Sequence, residues 1–406
     1  MIPRTLASKL QQLAGQFPVV TVTGPRQSGK TTLVRATFPD LPYVSLETPD
    51  TRLFAVEDPR GFLAHYGQGA IFDEVQRAPE LFSYLQTWVD EHPQSRFILT
   101  GSLHFLLMER ISQSLAGRTA VLHLLPFSLE ELRAAGWAFP DYETAIFQGQ
   151  YPPIYDRGIA PRDFYLAYIQ TYVERDIRLL RQITDFDAFL RFVQLCAGRV
   201  GQILNITSLA ADAGISPNTA KAWLSVLEAS FILYRVRPWF KNITKRLVKA
   251  PKLYFYDTGL LAALVGIREP REIAFHYLKG PLFENLIINE CLKFHFHRGE
   301  RQWPHFWRDH RGREIDCLVP MEPPLLVEIK AGKTLNWSYF EHLRYWRRTL
   351  NLPVEQGMVV YGGEQTLNTR EGLLLSWRDL GPLYRRLAPA PRQGDGTMKP
   401  EEPHPV

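Results

Sequence analysis

Gly24-Pro25-Arg26-Gln27-Ser28-Gly29-Lys30-Thr31-Thr32 decides how the rest of the chain is read. It follows the apolar, β-prone run Pro18-Val19-Val20-Thr21-Val22-Thr23 and leads into Leu33-Val34-Arg35-Ala36, which reads as helix. Strand, glycine loop and helix in that order form the setting in which this spacing holds phosphate. Gly24 and Gly29 let the backbone curl until consecutive N–H groups point inward as an anion nest. The helix N-terminus adds its partial positive charge. Residues Gly24 to Thr32 are therefore expected to cradle ATP, with Lys30 reaching the β- and γ-phosphates and the Thr31 hydroxyl on Mg²⁺.

Downstream, Ala70-Ile71-Phe72-Asp73-Glu74 is an apolar run that ends in two carboxylates. A buried parallel strand reads as such a run, and its C-terminal end opens onto the ligand crevice. Asp73 would arrive beside the glycine loop and hold Mg²⁺ through water, while Glu74 would polarise the attacking water. Alone, the pair would be an ordinary strand-to-loop acidic step; behind a phosphate loop it acquires a role. Arg96-Phe97-Ile98-Leu99-Thr100-Gly101-Ser102 is another buried strand with small polar groups at its tip. Ser102 first, and Thr100 second, are candidates to sense the γ-phosphate, although either can simply cap a strand. Around these, residues 4 to 16 and Pro79 to Asp90 read as helices. Tyr43 to Glu47 reads as a short strand bounded by Pro42 and Pro49, with a helix beginning at Pro59.

The series GPRQSGKTT, IFDE, ILTGS, SLAGR (114 to 118) and LLPFSLEE (124 to 131) resembles a bacterial and archaeal family of AAA-type ATPases. Its members join that module to a C-terminal domain of uncharacterised type, and the likeness in order and spacing runs from about Thr5 to Leu380. The resemblance implies ATP hydrolysis with Mg²⁺, a helical lid over the nucleotide, and a homo-oligomeric ring in which one subunit's arginine completes its neighbour's site. Arg118 and Arg110 are the candidates for that arginine, Arg118 the first. An exposed arginine paired with a carboxylate is the plain alternative.

Further on, Ser208 to Ala213, the turn at Gly214 and a helix capped by Ser216 with Pro217 at its first position read as a helix-turn-helix. Phe231 to Val236 follows as the wing strand. Asn218, Thr219 and Lys221 would face a DNA groove, and the basic residues Lys241, Lys245, Arg246, Lys249 and Lys252 would meet phosphates. Winged helices also serve as protein–protein modules, so a protein partner stays open. In the C-terminal part, Glu284 opens a helix, and Asp316, on a strand over 312–319, is followed about a dozen residues later by Glu328-Ile329-Lys330 on the next strand, Leu325–Lys330. That pattern is similar to the PD-(D/E)XK nuclease superfamily. Glu328 and Lys330, two apart on a strand, point the same way, toward Asp316. Asp316 and Glu328, with Glu284 from the helix, would hold Mg²⁺ at a scissile phosphate while Lys330 steadies the attacking hydroxide. A buried ladder of paired charges is the alternative, since fold does not fix function.

The bulk numbers agree with this division. A chain of 406 residues with 45% hydrophobic and 22% charged content is soluble, globular and too long for one core. No apolar run approaches the roughly 20 residues of a membrane span. Cys196, Cys291 and Cys317 lie far apart with no CxxC pair, so they suggest neither a disulfide frame nor a zinc site and point to a reducing cytoplasm. A net charge of +5 and a pI near 9.0 permit nucleic-acid binding. The expected fold class is α/β: a P-loop AAA-type parallel sheet over 1–140, a helical lid or connector over 141–198, a winged helix over 199–255, and a restriction-endonuclease-like α/β domain over 256–387. A disordered tail is expected over 388–406. Three functions fit: a DNA motor or remodeller, a nucleotide-gated switch for a protein partner, or an ATP-licensed nuclease.

Overall fold

Val20 and Val22 face one way along their strand and Val19 the other, and both directions are buried. The same alternation recurs at Ile71 against Ala70 and Phe72, and at Ile98 against Phe97 and Leu99. Apolar residues on both faces are what a parallel sheet covered by helices on each side requires. In the computed structural model, which describes residues 1–102, 114–177, 183, 185–239, 250–309 and 311–388, five strands form that sheet. They are β1 (Val19–Thr23), β2 (Tyr43–Ser45), β3 (Gly69–Asp73), β4 (Arg96–Gly101) and β5 (Thr119–His123), all parallel, in the order β2-β3-β4-β1-β5. Helices Leu6–Ala14 and Lys30–Thr37 cover one face with Leu6, Leu10, Leu33 and Val34; Phe62, Phe82 and Leu85 cover the other. Asp73, Gly101 and Thr23 thus end at one edge of the sheet, around the glycine loop.

One helix differs from the expectation. Pro49 starts a helix, Pro49–Glu57, rather than only closing the preceding strand. Its single buried residue is Ala55, while Leu53 and Phe54 are exposed, so it shows no apolar stripe for a sequence to reveal.

After the sheet come short helices, Tyr142–Gln148, Pro152–Asp156 and Pro161–Tyr168, the last continuing as a π-helix over Ile169–Ile177. Helices Phe186–Ala197, Ile206–Ala213 and Pro217–Ala229 pack in sequence, followed by an antiparallel pair, β6 (Leu233–Val236) and β7 (Lys252–Phe255). Gly214 ends the second of these helices in the left-handed conformation at φ 75°, and the Ser216 side chain caps the third by accepting from Thr219 N. Arg110, Lys241, Lys245, Arg246, Lys249 and the tail from 389 lie outside the described residues.

The C-terminal sheet holds β8 (His305–Arg308), β9 (Glu314–Val319), β10 (Leu325–Lys330), β11 (Gly357–Tyr361), β12 (Leu367–Thr369) and β13 (Gly372–Ser376), in the order β12-β13-β11-β10-β9-β8. β9 runs antiparallel to both β8 and β10, and the helix Glu341–Leu350 carries the chain across to β11, parallel to β10. The 18-residue helix Lys279–Phe296 is buried on almost all sides, including Glu290 and Lys293, which pair with each other. Lys293 also donates to Phe127 O, and Glu290 accepts from Leu129 N, so this helix joins the two sheets. No helix among the described residues is long and apolar enough to cross a membrane.

Candidate functional site

Gly24 has φ 153°, and a Cβ there would stand 2.2 Å from the Leu124 carbonyl oxygen. Gly29, at φ 91°, is the N-cap of the helix Lys30–Thr37. Only glycine takes such positions without strain. Gln27 is also left-handed, at φ 60°, a conformation that non-glycine residues keep mainly where a site requires it. The resulting loop wraps Lys30, whose Nζ donates to the carbonyls of Gly24 (3.1 Å) and Pro25 (2.8 Å). Burial brings the Lys30 pKa down to about 8, against the pull of Glu74 and Asp73.

Asp73 is the hub beside it. Its carboxylate accepts from Thr31 Oγ1 at 3.0 and 3.1 Å, from the Tyr43 hydroxyl at 2.7 Å and from Thr100 Oγ1. Glu74, left-handed at φ 55°, accepts from Ser102 Oγ at 3.2 Å and from the Gln76 amide. The structure therefore gives Thr100 to Asp73 and Ser102 to Glu74, and brings Lys30, Thr31, Asp73, Glu74 and Ser102 together. Tyr43 was not foreseen; a tyrosine opening an edge strand carries no motif. The Thr31 hydroxyl against the Asp73 carboxylate is a set of hard oxygen donors that fits Mg²⁺.

A cavity of about 510 Å³ lies over the loop, walled by Arg26, Lys30 and Glu74 on one side and by Pro152, Arg157 and Tyr172 on the other. Arg157 is exposed and has no ion-pair partner among the described residues. Behind Gly29 and Thr32 a smaller, mostly apolar cavity of about 250 Å³ runs between Ile2, Pro3, Leu33 and Phe127. An apolar slot beside a phosphate nest suits a flat base. Arg118 lies elsewhere, just before β5 at the opposite end of the sheet, with its guanidinium bidentate on Asp90 at 2.6 and 2.7 Å.

The loop is braced from behind. Arg4 donates to Ser28 O (2.8 Å), to Leu125 O (2.5 Å) and to Glu131 (3.3 Å), and His297 Nδ1 lies 3.6 Å from the same carboxylate. Burial opposes ionisation of Glu131, but Arg4, His297 and the N–H groups of Ser128 and Thr5 outweigh it and hold its pKa at about 2. Burial lowers the His297 pKa to about 3. Both groups have folded values below their unfolded ones, so both contribute stability at neutral pH that is lost on acidification. The His297 share goes first, from pH 6.5 downward, and the Glu131 share from 4.5 downward. In urea unfolding, His297→Gln is expected to flatten the fall in midpoint between pH 6.5 and 4.5. An unchanged slope would remove His297 from this account.

Asp316 is shared between the expected Glu328–Lys330 pair and a second group, Glu284 and Glu314 with Lys252. Lys330 Nζ joins Asp316 (3.1 Å) and Glu328 (2.5 Å), as the strand alternation implies. The β9–β10 ladder stops at Val327 opposite Cys317, and Asp316 Oδ2 takes the next amide, Ile329 N, at 2.8 Å. Burial pushes the Glu328 carboxyl well up, with the Asp316 charge adding to it. Glu284 keeps other company. Its Oε1 accepts from Lys252 Nζ at 3.1 Å and from the Tyr254 hydroxyl, and Lys252 also pairs with Glu314. Lys252 is thus a correction: it is 3% exposed, under the Phe306 ring, and does not belong with phosphate-facing lysines. Oxygens of Glu284, Glu314 and Asp316 lie within 4.8 Å of one another, the spacing of a cation cradle. The cation present is the Lys252 ammonium, so the residues as placed do not fit Mg²⁺.

Asn218 and Lys221 are exposed on the first turns of Pro217–Ala229, while Thr219 Oγ1 is engaged with Ser216 at 2.8 Å. Residues 16–133 match the family model described as AAA domain, residues 139–271 that of a domain of unknown function (DUF8612), and residues 279–380 that of another (DUF4143). Uncharacterized proteins of Mycobacterium tuberculosis and Mycobacterium bovis are each 29% identical over 373 residues, covering 89% of this chain and 80% of theirs. Among solved structures, the Walker-type ATPase PABY2304 of Pyrococcus abyssi is similar at 16% identity and TM-score 0.46, over 65% of this chain and 96% of that one. AMPPCP-bound DnaA of Aquifex aeolicus is similar at 15% identity and TM-score 0.28, over 55% and 85%. The chain carries a P-loop AAA domain of ATPase type, followed at its C-terminal side by a DUF4143 domain.

Proposed function

We propose that the protein hydrolyses Mg²⁺-ATP and uses the cycle to act on DNA, as a homo-oligomeric motor or remodeller. The observation that carries the hydrolysis is the meeting of Lys30, Thr31, Asp73 and Glu74 at one sheet edge, with Ser102 on Glu74 at 3.2 Å. Lys30 exchanges the carbonyls of Gly24 and Pro25 for phosphate oxygens, Thr31 and Asp73 hold the ion, and Glu74 takes the proton of the attacking water. The ion supplies charge neutralisation on the phosphates. Ser102 orients Glu74 and lies where it can report loss of the γ-phosphate.

DNA contact rests on the three-helix unit with its β6–β7 hairpin, read as a winged helix, and on Asn218 and Lys221 standing exposed at its third helix. For Arg118 to act as a finger on a neighbouring subunit it must first release Asp90. The antiparallel β8–β9–β10 followed by a helix and parallel β11 supports the reading of the last domain as nuclease-like. Lys252 among its acids favours a binding platform over Mg²⁺-dependent cutting.

ATP turnover measured with and without duplex and single-stranded DNA tests the whole reading. Stimulation by DNA is expected, and Glu74→Gln should keep nucleotide affinity while turnover falls by about 10²-fold or more. Turnover indifferent to DNA would replace the motor by a switch, and a Glu74→Gln variant of normal rate would remove Glu74 as the base.

A further inference from the structure

A cavity of about 710 Å³ lies apart from the one over the glycine loop. It opens where three parts of the molecule meet: His123 at the end of β5, the end of the helix Pro217–Ala229 with β6, and the segment from Phe296 to His305. Its floor is aromatic and prearranged. Tyr234 lies 5.9 Å from Trp303, Trp303 meets Phe296 edge-on at 5.2 Å, and Phe231 holds a left-handed backbone at φ 56°. Trp303 and His305 are half-buried, leaving ring surface open to the cavity.

The charge is one-sided. Glu228 is the carboxylate in the wall, and it is taken by Arg235, whose Nε is 2.5 Å from it. Arg237 and Arg301, both exposed in the same wall, have no carboxylate partner among the described residues. Two free guanidinium groups beside a half-open indole match a ligand that is anionic at one end and flat at the other. Guanidinium recognises phosphate, and bases stack on aromatic side chains. The volume lies within the range of small-molecule sites.

We propose that this cavity binds one nucleotide unit, with phosphate on Arg237 and Arg301 and the base against Trp303. The same chemistry is offered by a free mononucleotide and by a nucleotide of a single strand. The position gives the contact a consequence. His123 pairs in register with Thr23, the residue before Gly24, so a ligand here presses on the strand beside the one that carries the glycine loop. The inference deepens the DNA-acting reading and rests on it.

The test uses the full-length chain with fluorescein-labelled (dT)12, followed by anisotropy, with dTMP and poly-glutamate as competitors. Arg237→Ala/Arg301→Ala is expected to raise Kd about 5–150-fold, the range for losing one stacked or anchored nucleotide, and Trp303→Leu by a similar factor. The arginine pair lies on the surface, so that variant keeps its fold if Trp303→Leu does not. Stimulation of ATPase by (dT)12 should disappear in the arginine variant while the basal rate stays. Competition by dTMP assigns the site to free nucleotides, and its failure to compete assigns it to a strand. Undiminished binding by the arginine variant, or no binding of (dT)12 by the wild type, overturns this site; the DNA reading falls only if turnover is also indifferent to duplex DNA. Equal competition by poly-glutamate overturns the nucleotide assignment.

Discussion

Lys30→Ala should abolish ATP turnover, by about 10²–10³-fold or more, the loss expected when a positioned charge on the transition state is removed. The same variant should unfold no earlier than the wild type. The second half of that expectation follows from burial. Lys30 is 7% exposed, and desolvation lowers its pKa to about 8. A folded value below the unfolded 10.5 means that the ammonium costs stability throughout the neutral range, at about 1.4 kcal/mol per pKa unit. Two loop carbonyls and the charges of Asp73 and Glu74 offset part of this, and the remainder is tension that phosphate oxygens would relieve. Alanine removes both the tension and its purpose. Phosphate release and the thermal midpoint are therefore to be read together: lost turnover with an unchanged or raised Tm is the expected pair. Lost turnover with a Tm lowered by many degrees would mean that Lys30 holds the loop rather than the nucleotide.

What the sequence shows of this site is what lies close together along the chain. The loop, its helix and the strand ending Phe72-Asp73-Glu74 each declare themselves within a few residues, because backbone geometry and strand burial are local demands. The partners that tune them are not local. Tyr43 reaches Asp73 across 30 residues, and Arg4 reaches Glu131 across 127. Neither Arg4 nor Tyr43 differs, in its own neighbourhood, from a surface residue. Lys252 is the clearest case. In a stretch dense with Lys and Arg it reads as one more solvated cation, yet it begins β7, and the neighbours that bury it, Glu284, Glu314 and Phe306, come from three later elements. The strand carrying Glu328 and Lys330 was legible from its alternation, and it is β10 in the structure. The gathering of Glu284, Glu314 and Asp316 around the buried Lys252 ammonium was not, because these groups come from three elements set apart in the chain.

Lys252→Met carries the second large expectation: a loss of stability of about 3–5 kcal/mol, the range for removing one partner of a buried ion pair. Methionine keeps the unbranched stem under Phe306, so packing is nearly conserved and the change isolates the charge. Without the ammonium, Glu284 and Glu314 are left facing each other and Asp316 within 4.8 Å. Burial already pushes the Glu284 carboxyl up, with Lys252 pulling against it, so the variant can recover only by protonating an acid. Two results follow. The loss should shrink as pH falls from 8 to 5, since protonation then replaces the missing cation, and Glu284→Gln should restore part of the stability to Lys252→Met. A divalent ion should do the same. If the cradle is complete apart from its cation, 1 mM Mn²⁺ should raise the midpoint of Lys252→Met and leave the wild type unmoved. A wild type stabilised by Mn²⁺ as strongly as the variant would show that Lys252 yields to metal in solution, and the C-terminal acids would then be a working metal site after all.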